Sequence, residues 1–371
     1  MNSLKRHHII LCLFYLKFGQ LIGFNLIQNV KCRLYECCSP PYLPNNFSRL
    51  ENNLNKSLFG QPLVKNTIVS ALKGHFNLNG PKKALVMSFH GSTGVGKNFV
   101  IQFIANAMFE RGVKSKFFKL FIASRDFPHN EKIDEYRETI IRSIEETVKL
   151  CHTNLFVFDE TDKIPIGLMD TIKAYIDFYP EVDGIAFRKS VFIFLSNSAA
   201  KDIAQLTLSF DKQTINRNDF DLKVFQNEIQ NSIYHNKEEN EKGLWHASII
   251  DSYLIDFYVP FLPLERDHVR KCILAEFRNY NYTTNGKGAS INTISDDDIE
   301  SIVDEHIFEP PGYTKYSSSG CKRVPFLVRT FIYKKLLKVT SAKCLNIEQT
   351  RKERRNSKIA ITQWGWAFNK P

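Results

Sequence analysis

The chain has 371 residues, 43% of them hydrophobic and 24% charged, which excludes chain-wide disorder and a multi-spanning membrane architecture and leaves room for more than one domain. Its formal charge of +11 would by itself suggest a polyanionic partner. Residues 315–371, however, hold 14 Lys and Arg against only Glu348 and Glu353, so this stretch carries +12 and the remainder −1. The basicity belongs to the C-terminal end, and no nucleic-acid partner is expected.

At the N-terminus, Lys5 and Arg6 precede an apolar run over residues 9–18 that only Lys17 interrupts, and Gly19 and Gly23 follow. Residues 1–23 read as a secretory signal peptide, with an uncleaved anchor as the alternative; the run falls short of the roughly 20 apolar residues of a span. Entry into the endoplasmic reticulum would give meaning to three glycosylation sequons, at Asn46, Asn55 and Asn281. Beyond the signal lie seven cysteines: Cys32, Cys37, Cys38, Cys151, Cys272, Cys321 and Cys344. Their spacing lacks the paired CxxC clusters of a zinc site, so disulfides in an oxidising lumen are the better reading, with one thiol left over. The adjacent Cys37 and Cys38, beside Ser39-Pro40-Pro41, suit a crosslink better than a core. Residues 24–57 form an N-terminal cysteine-containing segment.

A strand-length apolar run, residues 84–89, leads into Gly91-Ser92-Thr93-Gly94-Val95-Gly96-Lys97-Asn98, and residues 99–109 then show apolar positions at helical spacing. Strand, glycine loop and helix are the context a phosphate-binding Walker A loop requires. Its glycines let backbone N–H groups turn inward, the helix N-terminus adds partial positive charge, and Lys97 reaches the outer phosphates. Asn98 stands where the pattern has a Ser or Thr hydroxyl for Mg2+, and its amide oxygen could hold the metal or a metal-bound water. Residues 155–158 form a second buried-strand candidate ending in Asp159-Glu160, the Walker B arrangement. Asp159 would hold Mg2+, and Glu160 would orient and polarise the attacking water. A third run, residues 191–195, ends in Ser196-Asn197, which makes Asn197 the candidate for the sensor 1 contact to the γ-phosphate. Polar groups at the ends of alternating strands place the chemistry at the carboxyl edge of a parallel α/β sheet binding ATP and Mg2+.

These residues resemble the torsin family of AAA+ ATPases, across most of the processed chain. The resemblance rests on Phe59-Gly60-Gln61, Gly96-Lys97-Asn98, Phe158-Asp159-Glu160-Thr161-Asp162-Lys163, the run 192–197, the stretch from Trp245-His246 to Leu264-Glu265, and Gly320-Cys321-Lys322. It implies an AAA+ parallel-sheet domain over residues 58–263 and a small α-helical domain over 264–345. Lys322 would be sensor 2, a cation meeting the γ-phosphate. Cys321 would pair with Cys272 in a redox-sensitive bridge, and Cys151 with either Cys37 or Cys38. The resemblance further implies residence in the endoplasmic reticulum lumen, homo- or hetero-oligomers, and weak hydrolysis until a membrane-anchored luminal activator supplies an arginine finger. The work done would be remodelling of proteins or membrane-associated assemblies; a nucleotide-gated binding scaffold with little turnover is the alternative.

In the small domain, residues 264–277, 296–308 and 324–337 have helical apolar spacing. Residues 346–371 form a tail with the basic cluster Arg351-Lys352-Glu353-Arg354-Arg355 and with Trp364 and Trp366. A contact with anionic lipid and a solvated tail are equally open readings of it.

Overall fold

The computed structural model of the chain describes residues 32, 36–78, 80–235, 249, 252–280, 283–284, 293–309 and 315–337. The signal segment, the sequon at Asn281, Cys344 and the tail 346–371 lie outside the described residues. The chain divides into two compact units: residues 1–91 with 96–262, and residues 92–95 with 263–371.

The first unit is built on five parallel strands in the order β2-β3-β4-β1-β5. Their spans are β1 Leu85–His90, β2 Phe118–Ile122, β3 Asn154–Asp159, β4 Ser190–Ser196 and β5 Phe257–Pro260. Every residue of β1 and β4 is buried, as is all of β3 up to Phe158. A parallel sheet covered on both faces demands continuous apolar runs rather than alternation, and these three strands have them. Phenylalanines stack between neighbouring strands: Phe156 on Phe192 at 4.9 Å, Phe121 on Phe158 at 4.8 Å and Phe158 on Phe194 at 5.7 Å between ring centroids. Register pairs Phe89 with Leu195 and Phe158 with Phe194, so the carboxyl ends of β1, β3 and β4 emerge side by side.

The longer helices of this unit are α1 Phe47–Ser57, α2 Pro62–Asn77, α3 Lys97–Met108, α4 Ile133–Leu150, α5 Ala200–Lys212 and α6 Leu222–His235. Helix α1 falls within the segment 24–57, for which the sequence reading offered no secondary structure. Its FSRLENNLNKS sequence includes three asparagines and two serines, which are weak helix formers. Burial of Phe47, Leu50 and Leu54 on one face carries it, and Asn46 caps it by accepting the Arg49 N–H at 2.9 Å. Asn46 and Asn55, the two sequon asparagines in this part, are both exposed. Of the two adjacent cysteines, Cys38 pairs with Cys151 at the end of α4, across 113 residues, while Cys37 closes a short loop with Cys32.

The second unit holds α7 Arg266–Asn279, α8 Asp296–Asp304 and α9, residues 324–337. Val269, Ile273, Phe277, Ile299, Ile302, Val303, Val324, Leu327 and Val328 form its core. Ser295 and Asp298 cap α8 reciprocally. That helix stops at Asp304, short of Phe308, because Glu305 and His306 close it in a turn and Phe308–Glu309 pairs antiparallel with Tyr316–Ser317. A disulfide joins Cys272 on α7 to Cys321 in the turn before α9.

Candidate nucleotide site

Strand β1 delivers the glycine loop. Gly91 has φ +149°, and a β-carbon there would lie 2.5 Å from the Phe261 carbonyl oxygen, so no side chain fits at the loop's entry. Gly96, at φ +112°, is the N-cap of α3, and Lys97 and Asn98 are that helix's first two residues. The loop therefore ends on a helix N-terminus, where the first N–H groups have no intrahelical partner and the helix dipole favours an anion.

Lys97 donates its Nζ to the Asn197 Oδ1 at 3.0 Å and, in a short contact, to the Gly91 carbonyl. Burial pushes its ammonium down to about 8, against the opposing pull of Asp162 and Asp159. Asn98 donates its Nδ2 to Asp159 Oδ2 at 2.8 Å, while Asp159 Oδ1 accepts the Glu160 N–H at 2.8 Å. Two hydrogen-bonded groups, Lys97–Asn197 and Asn98–Asp159–Glu160, thus link the start of α3 to the carboxyl ends of β3 and β4. The donor set suits a magnesium triphosphate: hard oxygens on Asp159 and Asn98, a desolvated ammonium, and a glycine loop that ends on a helix N-terminus.

Glu160 sits in the left-handed region at φ +56°, an uncommon place for a residue with a side chain. Its Oε1 accepts Lys163 Nζ at 2.8 Å and its Oε2 accepts the Ser124 N–H at 3.3 Å. Both bonds, Lys163 first, hold its carboxyl below the usual glutamate range. The sequence reading gave no role to Lys163, Ser124 or Asp162. Asp162 Oδ1 accepts the Asn197 N–H at 3.0 Å. His90, fully buried at the end of β1, was also missed; its Nε2 lies 2.6 Å from Ser88 Oγ and its Nδ1 3.3 Å from the Ser198 carbonyl. Gln61 of Phe59-Gly60-Gln61 brackets Leu262 through both its backbone groups, at 2.7 and 2.8 Å.

Within the second unit, the loop tip Ser92–Val95 packs with the turn that carries Gly320-Cys321-Lys322. The Cys321 N–H donates to the Gly94 carbonyl at 3.0 Å, and a β-carbon on Gly94 would lie 1.9 Å from the Ser319 carbonyl oxygen. Lys322 is exposed on that turn, next to the Cys272–Cys321 bridge.

A family model described as Torsin matches residues 32–158. A torsin-like protein of Caenorhabditis elegans is 39% identical over 302 residues, covering 81% of this chain and 82% of the relative. The chain belongs to the torsin family. A Drosophila melanogaster torsin-like protein is 35% identical, covering 84% of this chain and 89% of its own. Human Torsin-3A is 30% identical, covering 83% and 75%. Among solved structures, a Saccharomyces cerevisiae Hsp104–ADP complex superposes with a TM-score of 0.51 at 13% identity, over 81% of this chain; this torsin spans about half of the Hsp104 chain, at 48%. That likeness concerns the fold, which is the AAA+ α/β arrangement. Membership of this family carries ATPase-type chemistry.

Proposed function

We propose that this torsin binds MgATP at the carboxyl edge of its sheet and hydrolyses it slowly, as the motor of a luminal remodelling enzyme. The observation that carries the reading is the hydrogen-bonded set Lys97–Asn197 and Asn98–Asp159, with Glu160 adjoining it. Gly91 to Gly96 would wrap the phosphates with backbone N–H groups, and Lys97 would neutralise the outer two. Asp159 and Asn98 would hold Mg2+, which would supply neutralisation of phosphate charge when bound. Glu160 would orient the attacking water and accept its proton, after leaving the Lys163 ammonium that holds it here. Asn197 would fix the γ-phosphate from the far side, and Lys322 would add a second cation.

The same reading includes residence in the endoplasmic reticulum lumen, supported by the signal-like N-terminus, two exposed sequon asparagines and three disulfides among the described residues. It also includes self-association, activation in trans by a membrane-anchored partner that brings an arginine finger, chaperone-like remodelling, and redox sensing by the Cys272–Cys321 bridge beside Lys322. One observation favours a second reading, a nucleotide-gated scaffold: the Lys163 and Ser124 bonds lower the basicity of Glu160 and hold it in place. Single-turnover hydrolysis by the processed chain, alone and with an activator's luminal domain, separates the two. Stimulation on the order of 10^3-fold or more supports the motor, as expected for an arginine finger. No stimulation, with Glu160→Gln indistinguishable from wild type, supports the scaffold.

A further inference from the structure

Strand β4 ends at Ser196, whose ladder partner is His90, the last residue of β1. The next residue, Asn197, therefore has a backbone N–H beyond the sheet's own pairing, and a donor there needs another acceptor to hold the chain in one conformation. That acceptor is Asp162, whose Oδ1 takes the Asn197 N–H at 3.0 Å and lies 3.5 Å from the Ser196 hydroxyl. The Ser196 Oγ in turn accepts the Ser198 N–H at 3.0 Å, so the three residues at the tip of β4 are tied together. Asp162 is itself fixed. It lies in the 3-10 turn Thr161–Lys163, which the Lys163 N–H closes on the Glu160 carbonyl at 2.8 Å. The buried Thr161 hydroxyl docks that turn on β4 by donating to the Leu195 carbonyl at 3.0 Å. With its backbone held from this side, Asn197 can present its Oδ1 to Lys97 Nζ, also at 3.0 Å.

We infer that Asp162 is a positioning residue, which ties the turn after the Asp159-Glu160 pair to the tip of β4 and thereby sets the Asn197 amide against Lys97 and the terminal phosphate. The inference rests on the proposed nucleotide site for its functional half. It couples the residue that would position water, Glu160, to the residue that would position the γ-phosphate, Asn197, through the turn that follows Glu160, whose adjacent Thr161 and Asp162 side chains bond Leu195 and Asn197. Its chemistry asks for an oxygen acceptor at 162, and a charged one makes the stronger bond.

Two measurements on the full processed chain test it. Hydrogen exchange followed by mass spectrometry, without nucleotide, reads the Asn197 amide in peptides spanning 195–199. Asp162→Ala is expected to speed that exchange roughly 10- to 100-fold, the size of one charge-assisted hydrogen bond, while Asp162→Asn, which keeps an oxygen acceptor, restores most of the protection. Exchange in Asp162→Ala at the wild-type rate, with peptides of β1 also unchanged, overturns the inference. Single-turnover hydrolysis reads the functional half through a double-mutant cycle. Asp162→Ala is expected to lower the rate about 10-fold or more with the Kd for a fluorescent ATP analogue changed less, and to cost little further once Asn197→Ala is present. Additive losses overturn the coupling to Asn197. A wild-type chain that hydrolyses nothing, with or without activator, defeats the ATPase reading and leaves the exchange arm to decide the positioning role.

Discussion

His90 offers a prediction that joins the fold to the site. Its imidazole is wholly buried at the end of β1, and burial first, helped by the Lys97 charge and opposed by the Ser198 carbonyl, lowers its pKa to about 3. A neutral ring has one N–H, so Nδ1–H donates to the Ser198 carbonyl and Nε2 accepts from the Ser88 hydroxyl. The unfolded chain takes up a proton near pH 6.5, whereas the folded chain does so only near 3. The folded value is the depressed one, so the stabilisation from this residue is complete above pH 6.5 and falls away as the pH drops toward 3. Between pH 7 and pH 5 the loss amounts to about 2 kcal/mol. The assay is urea unfolding of wild type and His90→Gln at both pH values. The variant starts less stable at pH 7, and its decline on acidification is smaller by about 2 kcal/mol. His75, held near 4 mainly by burial, acts with the same sign but is common to both proteins and cancels. Equal declines would show that His90 is accessible to protons in the folded chain and would refute the reasoning.

Three further outcomes are expected. Gly91→Ala would drive a β-carbon to 2.5 Å from the Phe261 carbonyl oxygen, so fluorescent-nucleotide titration should show at least tenfold weaker binding, and unchanged affinity would count against the cradle. Cys38→Ser removes a crosslink that spans 113 residues; chain-entropy arguments put the loss at up to about 5 kcal/mol, to be read by chemical denaturation, whereas Cys37→Ser opens a five-residue separation and should cost far less. Phe158→Ala leaves a cavity between Phe121 and Phe194 directly behind Asp159, and about 3–5 kcal/mol of stability should go with it in the same assay.

Much of this architecture is visible in the sequence, and for a physical reason. A strand covered on both faces is largely apolar, so β1, β3 and β4 stand out as nearly continuous apolar runs, followed by Gly91, Asp159 and Asn197. Helix α1 is less legible because its stability comes from three buried side chains on an otherwise polar, asparagine-rich segment. The choice between Cys37 and Cys38 could not be made from adjacent identical residues; it depends on which one the turn at Ser39–Tyr42 carries toward the end of α4. Asp162 and His90 were missed because their partners lie 35 and 108 residues away and exist only once β4 is laid beside β3 and β1. The order Asp159-Glu160-Thr161-Asp162-Lys163 contained a signal, since an acid and a base on a single turn after a strand end have short reach to whatever the neighbouring strand presents.

The central claim, that Lys97, Asn98, Asp159, Glu160 and Asn197 enclose ATP, is tested most directly by the nucleotide that copurifies with the protein. Glu160→Gln should retain close to one ATP per chain after gel filtration, identified by chromatography of the denatured sample, and Lys97→Ala should retain almost none. Glu160→Gln emerging as empty as Lys97→Ala would contradict the account.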